Sequence, residues 1–344
     1  MIYFNCDYNE GAHPSILHML EETNMEQTVG YGLDPYCERA RELILEQCHA
    51  PEAEVHFLVG GTQTNTTAIS SVLRPHQGVI CPDSGHIQVH ETGAIEACGH
   101  RVIPVPSKAG KISGEQIEEV WRGHWEDEVH EHMVQPKMVY ISYPTEYGTL
   151  YSLNELEEIS SVCRRCGLIL YLDGARLGYG LCAKGNTLSL PDLARLCDIF
   201  YIGGTKQGAL FGEALVIANP LLREDFRYLI KQKGGMLAKG RLLGIQFVAL
   251  FQDRVYFEIA RHANEMADKI REACVRLGFS FLFETTTNQI FPIFTKDQIK
   301  KLEKEFNLSF WEKVDEERSA MRICTSWAST EEMVDILIEA LEQL

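Results

Sequence analysis

The chain is short of basic residues: 32 Lys and Arg stand against 49 Asp and Glu, a formal net charge of −17. An acidic body repels phosphate backbones and anionic lipid, which excludes nucleic acid and membrane surfaces as general partners, although a local basic pocket can still hold a small anion. No apolar run approaches the ~20 residues that a bilayer-spanning helix needs. The first residues, Met1 to Asp7, have neither the basic nor the apolar segment of an export signal. Linkers rich in Pro, Gly or Ser and repeats at solenoid periods are absent. So are the Walker loop and the G-x-G-x-x-G fingerprint, which weakens nucleotide readings. Cysteine is plentiful, with 11 residues at irregular spacing. The one Cys-x-x-Cys, Cys163 to Cys166, lies late in a predicted helix without redox context, and no second pair sits at zinc spacing. Mostly buried thiols in a reducing cytoplasm are expected, and no metal.

What is present is ordinary for a globular protein: 344 residues, 45% hydrophobic and 24% charged. Disorder would need fewer apolar residues. Short apolar runs alternate with amphipathic stretches. Strands are predicted at 55–59, 79–81, 101–105, 138–142, 168–173, 199–203 and 214–218. Helices are predicted at 35–48, 64–73, 113–125, 152–166 and 191–197. Several strands are apolar throughout, as when helices cover both faces of a sheet. The expected fold class is therefore α/β, a large, doubly wound, mainly parallel sheet. Beyond residue 234 the pattern changes to a long helical stretch at 242–277, strands near 279–283, 289–294 and 321–326, and helices at 296–306 and 331–344. This reads as a smaller α+β domain at 241–344 beside a large domain at 1–240, on which small domain the N-terminal segment could also pack.

Ligands of open α/β sheets gather at the carboxyl ends of strands, and three segments put polar residues there. Val59-Gly60-Gly61-Thr62-Gln63-Thr64-Asn65 runs from a strand into a helix. Its glycines let the backbone approach a ligand, and the helix N-terminus favours phosphate; an ordinary glycine turn with Thr62 or Thr64 as cap fits equally. The run from Leu168 ends in Asp173-Gly174-Ala175-Arg176. That places a carboxylate at a strand tip and a guanidinium three residues on, either as a structural pair or as separate grips on a protonated ring nitrogen and a carboxylate. The run from Phe200 ends in Gly203-Gly204-Thr205-Lys206-Gln207-Gly208-Ala209. Most lysines are solvated, but one in so tight a setting can have its pKa lowered and form a Schiff base. An acid for a pyridinium, an amine for an aldehyde and a turn for a phosphate together describe pyridoxal phosphate binding.

Asp173-Gly-Ala-Arg176-Leu, Gly204-Thr-Lys206-Gln-Gly and His86-Ile-Gln-Val-His-Glu91-Thr-Gly-Ala-Ile resemble the threonine aldolase / β-eliminating lyase family, over nearly the whole chain from Phe4. The resemblance implies an aspartate-aminotransferase-like fold and an enzyme dependent on pyridoxal 5'-phosphate. It would cleave β-hydroxy-α-amino acids such as L-threonine and L-allo-threonine to glycine and an aldehyde. It implies Lys206 as the Schiff-base lysine and Asp173 as partner of the pyridinium nitrogen. Gly61, Thr62 and Asn65 would lie at the phosphate loop, and His86 would stack on the ring. His132, six residues before Met138, would be a second active-site histidine, with His86 or His132 the catalytic base. Arg176 and Arg322 would hold the substrate carboxylate. A homodimer or homotetramer with sites between subunits is implied as well.

The chain departs from the family in two places. A Ser-Asp pair common near the N-terminus reads Cys6-Asp7, which puts a weak thiol donor where a hydroxyl would help bind substrate. After Gly234-Gly235-Met236, an Arg-Gln pair is replaced by Leu237 and Ala238, with a cation only at Lys239. Three other readings stay open: a β-eliminating lyase of the same cofactor class, a nucleotide-dependent enzyme using Gly60-Gly61, and a cofactor-binding scaffold with a decayed site.

Overall fold

The computed structural model describes all residues from Met1 to Leu344. Its large sheet has seven strands: β1 (Glu54–Leu58), β2 (Gln77–Pro82), β3 (Arg101–Val105), β4 (Gln135–Ser142), β5 (Ile169–Asp173), β6 (Ile199–Gly203) and β7 (Glu213–Ile217). Their spatial order is β1-β7-β6-β5-β4-β2-β3. Only β7 runs against the others, antiparallel to both β1 and β6, so the sheet is mainly parallel. Alternation along each strand feeds two cores. On β4 and β5, Val139, Ile141, Leu170 and Leu172 enter a core shared with the Pro35–Cys48, Leu153–Cys166 and Arg241–Phe251 helices. Met138, Tyr140 and Tyr171 enter a second core, against the Gly61–Val72 helix. Two buried faces explain the continuous apolar runs.

Helix ends follow local chemistry. Ser113 with Gln116 and Ser152 with Glu155 form reciprocal capping boxes. Gly167, at φ 63°, ends the Leu153–Cys166 helix in the left-handed conformation and turns the chain into β5.

The smaller sheet is built from β8 (Gln289–Ile290), β9 (Ile293–Thr295), β10 (Ser309–Lys313) and β11 (Arg318–Cys324), with β11 pairing all the others. Its core joins Ile290, Phe294, Met321 and Ile323 to the Val255–Arg276 and Glu331–Glu342 helices. Phe4 lies in this same core, and Ile2–Tyr3 pairs with Phe306–Asn307, so the N-terminal segment packs on the small domain.

Several expectations are corrected. The stretch 242–277 is two helices, Arg241–Phe251 and Val255–Arg276, broken where Arg254 takes φ 60°. The first of them is buried in the large core through Leu243, Phe247 and Leu250. No strand forms at 279–283, where Phe281 makes an isolated bridge to Pro292. The helix at 296–306 ends at Leu302.

The Pro35–Cys48 and Arg241–Phe251 helices touch through backbone at Gly244, where a Cβ would lie 2.5 Å from the Cys37 nitrogen and 2.6 Å from its Cα. We expect Gly244→Ala to cost about 1–3 kcal/mol by overpacking. Gly123, in an exposed helical position with nothing within 4 Å of a Cβ, should tolerate alanine or gain stability. Thermal melts of the two variants beside the unaltered protein check the contrast.

Candidate active site

The tips of β1, β2, β4, β5 and β6, with the start of β7, surround a cavity of about 290 Å³ that opens into a mouth of about 740 Å³. Asp173, last residue of β5, is 4% exposed. Its Oδ2 accepts from the Tyr140 hydroxyl at 2.6 Å and from Asn65 Nδ2 at 3.2 Å, and its Oδ1 from the Ala175 N–H at 2.9 Å. Burial alone would raise its pKa. The His86 charge and hydrogen bonds from Tyr140, Tyr201 and Ala175 outweigh that and hold the carboxyl below its ordinary value. The group therefore stays ionised and faces the cavity.

Lys206 lies just past β6 in a loop that only small residues permit. A Cβ at Gly203 would meet the Ala175 oxygen at 2.3 Å, and one at Gly174 the Tyr201 oxygen at 1.9 Å, so the loops after β5 and β6 press together. Gly204 N–H donates to the Gly212 oxygen and to Glu213 Oε2, both at 3.1 Å, which pins the loop to β7. Burial and the Arg176 charge lower the Lys206 pKa, partly offset by Asp7, Asp173 and Glu213. Glu213 is itself pushed up to about 8 by burial.

Opposite these, Gly60, Gly61 and Thr62 line the cavity wall at the start of the Gly61–Val72 helix. Gly60 is extended at φ −171° and makes no tight turn; its role is the open space beside it, for a Cβ there would touch nothing within 4 Å. No side chain caps this helix, so its first N–H groups are left for an anion. Asn65 does not reach the cavity lining. Its Nδ2 bridges Asp173 and Glu91 Oε1 (2.7 Å), while Tyr171 donates to its Oδ1 at 2.7 Å. Glu91 in turn holds His86 Nδ1 at 2.8 Å.

Arg176 lines the cavity but differs from expectation. Its Nε and Nη2 form a two-pronged bond with the buried carboxylate of Asp7, at 2.7 and 2.9 Å, which leaves both Nη1 hydrogens and the second Nη2 hydrogen free of Asp7. Burial would raise the Asp7 pKa, but Arg176 holds it below its ordinary value. Arg322 joins at the mouth, over the Trp311 ring at 5.3 Å and bonded to the Asn5 oxygen at 2.7 Å.

Two expected residues are elsewhere. His132 is exposed just before β4, at its amino end. The eight-residue β4, about 25 Å long, runs from there to Ser142 at the cavity edge. Cys6 is buried and gives its thiol hydrogen to Asn9 Oδ1 at 3.1 Å, outside the lining; Tyr8 occupies the mouth instead. Lys239 is exposed and outside both cavities. Sequence reasoning missed Tyr8, Glu146 and Glu213. Glu146 had a signal, since it follows the tip of β4 as Arg176 follows the tip of β5. Glu213 begins an antiparallel strand, so its approach from the opposite direction left none.

Asp7→Ala would strand the buried Arg176 charge, at a cost of about 3–5 kcal/mol. A carboxyl with a lowered folded pKa contributes stability above its ordinary value that is lost as pH falls through the lowered one. Denaturant titrations should therefore show the gap between this variant and the unaltered protein narrowing in acid.

Residues 12–297 match the beta-eliminating lyase family. A low-specificity L-threonine aldolase of Pseudomonas sp. (strain NCIMB 10558) is 31% identical over 84% of this chain and 83% of its own length. One from Saccharomyces cerevisiae is 25% identical over 78% of this chain and 69% of its own. The structure of Leishmania major threonine aldolase superposes with a TM-score of 0.97 at 45% identity, covering 100% of this chain and 99% of that one. A Thermus thermophilus aspartate aminotransferase double mutant shares the fold, with a TM-score of 0.73 at 14% identity over 100% of this chain and 91% of its own.

Proposed function

The chain belongs to the beta-eliminating lyase family, and from that premise we propose how its site performs the retro-aldol cleavage of L-threonine and L-allo-threonine to glycine and acetaldehyde. It is a lyase of the aldolase type. The observation that carries the site reading is the meeting of Lys206, Asp173, Arg176 and the uncapped helix start at Gly61 on one cavity.

The family and the fold are those of pyridoxal-phosphate-dependent enzymes, and the residues fit that group. Asp173 is buried and ionised, as a protonated ring nitrogen requires. The N–H groups at Gly61 and Thr62 offer a phosphate cradle, His86 stands at the cavity wall, and Lys206 presents an amine without a hydrogen-bond partner of its own. When bound, pyridoxal 5'-phosphate supplies an electron sink for the pair left on the substrate's Cα.

The chain's own groups do the rest. Arg176 Nη1 and the Arg322 guanidinium receive the substrate carboxylate at the mouth. Gripping the carboxylate decides which bond at Cα is presented for cleavage, and so separates aldol cleavage from its alternatives. A lowered pKa leaves more of Lys206 as free amine near neutral pH, able to act as nucleophile and then carry a proton. His86 is held by Glu91 through Nδ1, which orients the imidazole and leaves Nε2 to meet a ligand.

Two further properties belong to this reading. All 11 cysteines are unpaired, which supports a reducing, cytoplasmic setting. Met25, Leu33, Leu221 and Tyr228 are exposed at 88, 61, 85 and 75%, which supports a homodimer or homotetramer; light scattering should return two or four chain masses. No helix is long and apolar enough to cross a membrane.

Loaded enzyme should release acetaldehyde and glycine from both threonine diastereomers. Pyruvate and ammonia from β-substituted amino acids, with no acetaldehyde, would replace this reading by β-elimination. Lys206→Ala should lose more than the about 10²–10⁴-fold that a single proton-transfer group contributes. Borohydride treatment should fix the cofactor's mass on the Lys206 peptide of the unaltered protein alone.

A further inference from the structure

Five side chains line both the inner cavity and its mouth: Tyr8, His86, Glu146, Arg176 and Lys206. They form the neck where a substrate's reacting atoms must sit. Three have assigned tasks. Arg176 is anchored on Asp7, Lys206 supplies the amine, and His86 is oriented by Glu91. Glu146 is held as firmly and has no task. Its Oε1 accepts from the His86 N–H at 2.9 Å and from the Ser142 hydroxyl at 2.6 Å. Its Oε2 is buried and has no hydrogen-bond partner.

A dry carboxylate oxygen without a donor is costly, and such groups are few in native proteins. Here one oxygen is fixed by two donors, so the carboxyl cannot turn to satisfy the other. Of the buried polar atoms without a partner, this oxygen alone belongs to a residue that lines both the inner cavity and its mouth, so a small shift of the side chain presents it to a ligand that brings its own hydrogen. On the aldolase reading above, the substrate brings one such group to this neck, the hydroxyl on Cβ. We propose that Glu146 is a catalytic residue of this site, whose Oε2 takes the β-hydroxyl proton as the Cα–Cβ bond breaks. The O–H pair becomes the second C–O bond of the departing aldehyde, and the Cα–Cβ pair stays on Cα. The proton that Glu146 takes is matched by the one Cα gains, so no oxidant or other reactant is needed. Burial raises the Glu146 pKa, and Asp173 adds to the rise, while the Ser142 hydroxyl, its own N–H and His86 oppose it. A base whose pKa approaches the working pH is the more effective one.

The inference rests on the aldolase reading, and the test separates the two. Holoenzyme with Glu146→Gln keeps the side chain's size and an oxygen acceptor for His86 and Ser142 but cannot take a proton. Cleavage of L-threonine should fall about 10²–10⁴-fold. Exchange of the glycine α-hydrogen with deuterated water, which breaks Cα–H and needs no hydroxyl base, should stay within about threefold. Infrared spectra of the cofactor-free proteins should show a titrating protonated-carboxyl band that the Gln variant lacks. If cleavage stays near the unaltered rate, or cleavage and exchange fall together, Glu146 only braces His86 and the inference is overturned. An unaltered enzyme that exchanges glycine yet releases no acetaldehyde overturns the aldolase reading, and this inference with it.

Should the Gln variant not fold, Ser142→Ala gives a second test. It removes one donor to Oε1 and should raise both the midpoint of that band and the acid limb of kcat. The titratable and charged groups facing Glu146 are His86, Cys81, Tyr140, Tyr147, Tyr151 and Asp173, with Tyr8, Arg176 and Lys206 around the same neck, and Ser142→Ala leaves all nine in place. An unmoved midpoint and limb would overturn the inference.

Discussion

A carboxylate kept ionised away from bulk water at the tip of a central strand sets the terms for everything around it. Asp173 tolerates burial because Tyr140 from β4, Asn65 from the helix after β1 and the Ala175 N–H each donate to it. Buried polar networks are strong when complete and costly when broken. Satisfying Asp173 therefore fixes the neighbouring elements too. Asn65 passes the constraint to Glu91, and Glu91 passes it to the His86 ring. One charge in the sheet thus orients the imidazole across the cavity.

A second buried charge joins the domains. Asp7 binds Arg176 of the large domain, and Asn288 beside β8 donates to the same carboxylate at 2.9 Å. Phe4, three residues before Asp7, is locked in the small-domain core. The mouth is consequently built from three sources: the N-terminal segment with Tyr8, the large domain with Arg176 and Lys206, and the small domain with Trp311 and Arg322. Where the small domain sits decides how far Arg322 stands from Arg176 across the mouth.

The central acid and the amine were readable because parallel strands collect their polar tips on one edge, and an apolar run ending in Asp173 or in Gly-Gly-Thr-Lys206 marks such a tip. The doubly wound sheet was readable for a related reason, since strands buried on both faces must be apolar throughout. His132 misled because proximity to a strand in sequence does not say which end of the strand it joins. Cys6 lies outside the lining because its thiol is buried against Asn9, while Tyr8, two residues on, stays exposed at the mouth. Arg176 lines the cavity, but its side-on pairing with Asp7, 169 positions earlier, has no local signal in the sequence. Glu146 follows a strand tip as Arg176 does, but nothing local says that one of its oxygens is buried without a donor.

The sequence by itself determined the architecture, the acid and lysine at the strand tips, and the family, since each is written in local pattern: apolar periodicity, glycine where loops meet, a short motif at a strand end. Only the tertiary structure decided the partners of each charge. It gave Asp7 to Arg176, joined Asn65 to Asp173 and Glu91, set His132 at the far end of β4, and left one oxygen of Glu146 without a donor. Those outcomes depend on dehydration and on contacts between segments far apart in the chain. Electrostatic strength follows the surroundings of a charge, and those surroundings exist only once the chain has closed around it.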